Sequence, residues 1–227
     1  MSNLSPKSLV PIFFTNTSDS YDKIVHLATF GKDEIWKTKI LDKIHGKSIL
    51  DLACGTGILT RKIAQNFPTA TIIGVDITQS YLDVAKSNSE SFGNILFFHQ
   101  DAEKLKVEQK FDSIVSSYIP KYCDAQTLIK KCVEHLNPNG VIILHDFTCP
   151  KNIFIRNLWN FYFVLLRFAG YFIPTWKEAF FELPKLICSS NWLEDYVSAM
   201  KEFGLDVEYQ HLTLNSCAII VGRKLDL

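Results

Sequence analysis

The 227-residue chain has no excess of either charge. Its 24 basic and 24 acidic side chains cancel, so it lacks the overall field that gathers nucleic acid or an anionic surface nonspecifically. Its six cysteines, at positions 54, 123, 132, 149, 188 and 217, include no Cys-x-x-Cys pair, which argues against a structural zinc site and a dense disulfide framework. They are expected as reduced thiols, and no metal is expected. The opening Met-Ser-Asn-Leu-Ser-Pro-Lys has neither the basic start nor the apolar run of a secretion signal, which points to a cytoplasmic protein. No internal repeat or low-complexity tract is present, so a repeat architecture is excluded. With 47% hydrophobic residues the chain can bury one sizeable core, and a small-molecule partner is favoured.

From about residue 47 the sequence alternates short apolar runs with amphipathic ones. Strands are expected at 48–52, 71–76, 95–99, 112–116 and 141–145, each apolar and often β-branched, as strands covered on both faces should be. Helices are expected at 58–66, 79–89 and 125–136, the last stopped by the turn sequence Asn137-Pro-Asn-Gly140. A helix near 192–203 and strands near 207–213 and 216–222 follow, the strands pairing as an antiparallel hairpin. The prediction is a Rossmann-like α/β fold: a seven-stranded, mostly parallel sheet with helices on both faces. One domain should span 1–227. Within it, 1–46 form a cap of two helices over the carboxyl edge of the sheet, where open α/β folds bind ligands. Residues 47–150 form a cofactor-binding core, 151–190 a helical lid insertion, and 191–227 the final helix and strand pair.

The strongest local signal is Ile49-Leu-Asp-Leu-Ala-Cys-Gly-Thr-Gly57, a buried strand entering a tight turn and then a helix. Gly55 and Gly57 permit positive φ and, with the small Ala53, close approach of backbone to a ligand. A dinucleotide loop would carry a third glycine where Thr60 stands, and it would not place a carboxylate such as Asp51 near a pyrophosphate. A ligand bearing a sulfonium and an ammonium suits that acidic loop, which points to S-adenosylmethionine. Asp76, 25 positions after Asp51 at the end of the second strand, can accept both ribose hydroxyls. After the third strand Asp101 can accept from the adenine amine, Ala102 leaves room, and Ile77 and Tyr81 supply apolar surface. Taken singly, Asp76 or Asp101 reads equally well as a helix cap; their order at successive strand ends is what carries the reading. Gly46-Lys-Ser48 imitates a phosphate loop, but Leu41 occupies the place of its first glycine and the triplet precedes its strand, so it reads as a turn.

At these residues the sequence resembles class I S-adenosylmethionine-dependent methyltransferases, and more narrowly the ubiquinone/menaquinone biosynthesis C-methyltransferase family. Tyr21-Asp22, Thr29-Phe30-Gly31 and Trp36-Lys37 resemble that family's N-terminal signature. Leu136-Asn-Pro-Asn-Gly140 resembles its Leu-Lys-Pro-Gly-Gly turn, and Phe181-Glu-Leu-Pro184 and His211-Leu-Thr213 resemble its late elements. Two departures bear on the acceptor: Ser117-Tyr-Ile-Pro-Lys-Tyr122 stands where Gly-Leu-Arg-Asn is usual, and Asp146 replaces a glutamate. The resemblance implies methyl transfer to a ring carbon of a prenylated quinol precursor, giving S-adenosylhomocysteine, with Tyr21 and Ser117 beside the cofactor.

Transfer from a sulfonium is an in-line displacement, so the protein must align the partners and exclude water. A phenolic acceptor gains from a base that removes its proton, for which Asp146, Tyr118 and His145 are the candidates. Residues 153–173 hold eight of the chain's 29 aromatics, yet Arg156, Asn160 and Arg167 fall within about 40° on one helical face. That pattern suits a helix covering a lipid-like acceptor or meeting a membrane peripherally, with core packing as the rival reading; loss of Trp159 and Phe163 is expected to weaken acceptor or membrane binding. N- or O-methylation of another small molecule or of a phospholipid head group, and a non-catalytic S-adenosylmethionine-binding regulator, share the same loop.

Overall fold

The computed structural model describes residues 6–225; the first five residues of the expected cap and the last two of the expected final segment lie outside the described residues. The cap contains three α-helices where two are predicted: α1 (Leu9–Phe14), α2 (Tyr21–Ala28) and α3 (Lys32–Leu41). Then come β1 (Ser48–Leu52), α4 (Ile58–Asn66), β2 (Thr71–Asp76), α5 (Gln79–Ser87), β3 (Ile95–His99), β4 (Phe111–Ser117), α6 (Ala125–Glu134) and β5 (Leu136–Phe147). The insertion supplies α7 (Ile153–Gly170) and α8 (Lys177–Ser189), and α9 (Trp192–Glu202), β6 (Leu205–Leu212) and β7 (Cys217–Lys224) complete the described elements.

The strands form one sheet in the order β3-β2-β1-β4-β5-β7-β6. The first five are parallel; β7 runs antiparallel to both β5 and β6. Side-chain alternation splits the core between the two faces. Leu50, Ile73 and Ile114 pack with α6 and α9, whereas Ile49, Ile72 and Val115 pack with α3 and α4. A third cluster joins Phe13 of the cap to Trp176, Phe180 and Leu186 at and within α8. The expected burial on both faces fails at β3, where Leu96 and Phe98 are exposed; this strand is an edge, paired among the described residues only with β2.

The turn predicted at 137–140 is absorbed into β5 as an irregular stretch. Phe111 pairs with Leu136 and Ser113 with Val141, and Asn139 takes a left-handed φ of 58° to accommodate the extra residues. Gly46 does form a turn, latched by Asp112, whose Oδ2 accepts the Lys47 and Ser48 N–H groups at 2.7 and 3.1 Å. Its φ is +83° and an added Cβ would lie 2.2 Å from the Asp112 Cβ. Gly46→Ala is therefore expected to destabilise by about 2–4 kcal/mol, read as a lower urea midpoint; an unchanged midpoint would contradict the latch.

The expectation of six reduced thiols is corrected. Cys149, just before α7, and Cys188, near the end of α8, form a disulfide with Cα atoms 4.8 Å apart. Their separation of 39 residues has no local signature; the antiparallel return of α8 along α7 brings the two sulfurs together. Cys54, Cys132 and Cys217 are buried free thiols, and Cys123 is half-buried.

Candidate active site

The carboxyl ends of β1, β2 and β4 open into a cavity of about 430 Å³ roofed by the cap and by α7 and α8. Its floor begins at the glycine loop. Ala53, Gly55 and Gly57 have φ of 52°, 57° and 78°, so three left-handed residues turn the chain from β1 into α4. The turn is closely packed: a Cβ at Gly57 would lie 3.2–3.3 Å from Ala85, Arg61 and Phe97. Asp76 ties this loop to β2, its Oδ2 accepting the Gly55 N–H at 2.9 Å and its Oδ1 the Thr78 N–H at 2.8 Å. Burial raises the Asp76 carboxyl, and the two N–H bonds oppose that rise. A carboxylate has about four lone-pair positions, so two remain for a diol.

Beside Asp76, the cavity wall continues through Ile77, Tyr81, Asp101 and Ala102. Tyr81 meets the cap: its hydroxyl bonds Thr17 at 2.7 Å and its ring lies edge-on to Tyr21 at 5.2 Å. Tyr21 in turn stacks on Trp176. Asp101 caps a short turn by accepting the Glu103 N–H at 3.0 Å, and the same oxygen is 2.5 Å from Lys7 Nζ. Lys7 also pairs with Glu103, so one cap lysine fastens the start of the chain to the loop after β3.

The lining continues at and past the end of β4 with Ser117 and Tyr118. Tyr118 has φ of 76°, a strained conformation for a bulky residue. The strain is held from several sides. The Tyr118 N–H donates to His145 O at 2.7 Å, Lys121 Nζ donates to Tyr118 O at 2.9 Å, and the ring stacks on Phe147 at 5.0 Å. Its hydroxyl donates to Asp33 Oδ1 at 2.5 Å, and Lys37 Nζ reaches the same oxygen. Burial, followed by the Asp33 charge, holds the Tyr118 phenol well above its ordinary range. Asp33 is buried in α3 and had no sequence signal, since its contact with Tyr118 crosses 85 residues.

Tyr21, Ala53, Gly55, Asp76, Ile77, Tyr81, Asp101, Ala102, Ser117 and Tyr118 thus share one cavity, and four of the expected residues, Asp51, Gly57, His145 and Asp146, do not line it. Gly57 closes the loop on its side facing Ala85, Arg61 and Phe97. Asp51 is buried beneath it, accepting from the Thr60 hydroxyl at 2.6 Å, and burial pushes its carboxyl up to about 7. Asp146 is 0% exposed; its Oδ1 is 2.7 Å from Lys121 Nζ and its Oδ2 accepts the Lys121 N–H at 3.0 Å. Its observed position is that of a counter-ion to Lys121, which does line the cavity, so the expectation of a free base there is corrected. His145 is fully buried, and that burial brings it down to about 3, leaving it neutral and a poor base.

Residues 3–224 match the ubiE/COQ5 methyltransferase family. The chain belongs to that family. It is 30% identical to the ubiquinone/menaquinone biosynthesis C-methyltransferase UbiE of Francisella tularensis subsp. holarctica, covering 93% of this chain and 89% of that protein. It is 26% identical to the demethylmenaquinone methyltransferase of Staphylococcus aureus, over 98% and 95% of the two chains. Among solved structures, the N-methyltransferase NodS of Bradyrhizobium japonicum in complex with S-adenosyl-L-homocysteine shares the fold with TM-score 0.64 at 14% identity, over 98% of this chain and 100% of that one. The DhpI complex with the same nucleoside gives TM-score 0.67 at 12% identity, over 99% of each. The protein is an S-adenosylmethionine-dependent methyltransferase. The cavity fits that cofactor: a left-handed backbone cradle, a buried carboxylate with spare lone pairs and an aromatic wall adjoin one another. Tyr21, Thr29, Phe30 and Trp36, whose pattern resembles the family's N-terminal signature, all line the cavity, and Gly31, at φ 70°, reverses the chain between α2 and α3.

Proposed function

We propose that the enzyme C-methylates a prenylated quinol or phenol precursor in quinone biosynthesis, and that the chain meets a membrane peripherally through 153–173 to reach it. The observation that carries this reading is the composition of the cavity beyond the cofactor loop. Val25, Trp159, Phe163, Leu166, Phe180 and Leu183 line it, a surface suited to an isoprenoid tail rather than a polar metabolite. The names of the two relatives point the same way.

In this reading Asp76 holds the ribose, Ile77, Tyr81, Asp101 and Ala102 the adenine, and Ala53, Gly55 and Ser117 the amino-acid portion, with Gly57 shaping the loop. When bound, S-adenosylmethionine supplies a methyl group on sulfonium for one in-line displacement. Tyr21 lends an aromatic face to that cation. Tyr118 is the group for the acceptor's proton: its oxygen accepts from the acceptor hydroxyl while its own proton passes to Asp33, so that the ring carbon gains electron density as the methyl arrives. Trp176 with Trp159 and Phe163 of α7, which line the cavity, keep water from the sulfonium.

The test is turnover of demethylquinols of graded prenyl length. Methylation at a ring carbon, favoured by longer tails, is the expected result; methylation of none, alongside measurable cofactor binding, would overturn the acceptor assignment. Tyr118→Phe should lower kcat by about 10²–10⁴-fold with S-adenosylhomocysteine affinity unchanged.

Asp51 acts through its charge. It ionises through neutral pH and its anion attracts the cationic cofactor, so S-adenosylmethionine affinity should strengthen from about pH 6 to about pH 8. Asp51→Asn should flatten that rise, as calorimetric titration at both values would read; equal slopes for the two proteins would remove Asp51 from this role.

A further inference from the structure

Seven non-glycine residues take left-handed φ among the described residues, and five of them line the cavity. The other two, Asn139 and Asn215, are asparagines, whose short polar side chain tolerates that backbone. The five include two bulky apolar residues away from the catalytic cluster, Phe30 at φ 51° and Leu214 at φ 56°. Glycine would hold either turn without strain; strain of this kind gathers at ligand clamps, where it aims a side chain. Leu214 is the sharper case. It sits in the turn Thr213–Asn215 between β6 and β7, three left-handed residues in succession. The turn is fastened from two directions: Trp36 Nε1 of α3 donates to Thr213 Oγ1 at 2.8 Å, and the Thr148 hydroxyl, in the link from β5 to α7, donates to Asn215 O at 2.9 Å. The leucine side chain gains no core packing from this, since it is largely exposed and belongs to none of the three apolar clusters.

Exposed residues that also line a cavity stand at its mouth. Phe30, Leu158 and Leu214 are 77%, 65% and 66% exposed, and all three line this one. Cap, roof and sheet hairpin therefore each offer one large apolar side chain there. A cavity of about 430 Å³ is of the size that one drug-sized ligand fills. With the cofactor and an acceptor ring inside, a tail of several isoprene units has to leave through the mouth, and it buries apolar surface against whatever stands there.

We infer that Phe30, Leu158 and Leu214 form an apolar collar around the acceptor's tail, with Leu214 the residue that sets the preference for long tails. The inference rests on the lipid-tailed acceptor proposed above, and binding of alkylphenols, which needs no turnover, separates the two. Affinities of short- and long-chain alkylphenols for the full-length protein with S-adenosylhomocysteine are read by calorimetry, together with KM and kcat for demethylquinols of graded tail length. Leu214→Gly should weaken the long-chain alkylphenol about tenfold, the loss of one leucyl contact, and raise KM for long-tailed quinols to the same extent. Short-chain affinity, kcat and cofactor affinity should hold, and the urea midpoint should stay level or rise because glycine relieves the turn. Leu214→Met, which keeps the apolar reach, should keep the parental preference. A glycine variant with parental long-chain affinity would overturn the inference. So would equal losses for short and long chains, or a lowered urea midpoint, either of which would make Leu214 a structural prop. If no quinol is methylated while the glycine variant still loses long-chain binding, the collar stands and the acceptor falls. Methylation with the same tail preference in parent and glycine variant keeps the acceptor and removes the collar.

Discussion

Asp76→Ala is expected to weaken S-adenosylhomocysteine binding by at least about a hundredfold, because two hydrogen bonds from a diol to a buried carboxylate are worth about 1.5–3 kcal/mol each. The figure is a lower bound in one respect. The same carboxylate accepts the Gly55 and Thr78 N–H groups, so its removal also loosens the glycine loop. Asp76→Asn, which keeps one oxygen for the loop or the ribose but not the charge, should fall between alanine and the parent. Calorimetric titration with S-adenosylhomocysteine, S-adenosylmethionine and NAD measures this directly, NAD serving as the ligand that should not bind. An alanine variant with parental affinity would mean that the ribose is held elsewhere.

Lys121→Met should be the most destabilising of the substitutions considered. Asp146 and Lys121 are both buried, 2.7 Å apart, and stranding one charge of such a pair costs about 3–5 kcal/mol, a large part of the 5–15 kcal/mol that typically holds a domain together. Burial lowers the Lys121 ammonium, and Asp146 is what opposes that shift. The double variant Lys121→Met, Asp146→Leu leaves no orphaned charge and should recover most of the urea midpoint. It should not recover turnover, since the bond from Lys121 to the Tyr118 carbonyl, which helps hold that residue at positive φ, is gone. Recovery of both stability and kcat would show that Lys121 contributes charge balance alone.

The contrast between Asp76 and Asp146 shows what the sequence made legible. Asp76 could be placed because the strand-loop pattern around it is local and the direction of its side chain follows from the loop it must hold. Asp146 ends a strand beside the same cleft, but neighbouring strand residues point to opposite faces, and nothing nearby in sequence says that Lys121 will swing in to meet it. The positions of the first five strands along the chain and the left-handed positions at Gly55 and Gly57 could be read for the same local reason. Asp33 with Tyr118, Lys7 with Asp101, and Cys149 with Cys188 could not, because each pairs elements joined only by tertiary packing. The polar arc of α7 was readable as a stripe; that the remaining apolar surface divides between cavity and exterior depends on where α8 and the cap come to rest.

The disulfide between Cys149 and Cys188 closes the α7–α8 hairpin at its base, so the two helices cannot splay apart from that end. Against α2, by contrast, α7 is fastened by the Tyr162 hydroxyl on Ala28 O and by the Phe30–Tyr162 ring contact. The weaker seam is therefore the one between roof and cap, and a long acceptor sliding in sideways along it meets no covalent bar. While that bond is closed, the enzyme carries its roof as a fixed awning, held at the end where Cys149 meets Cys188.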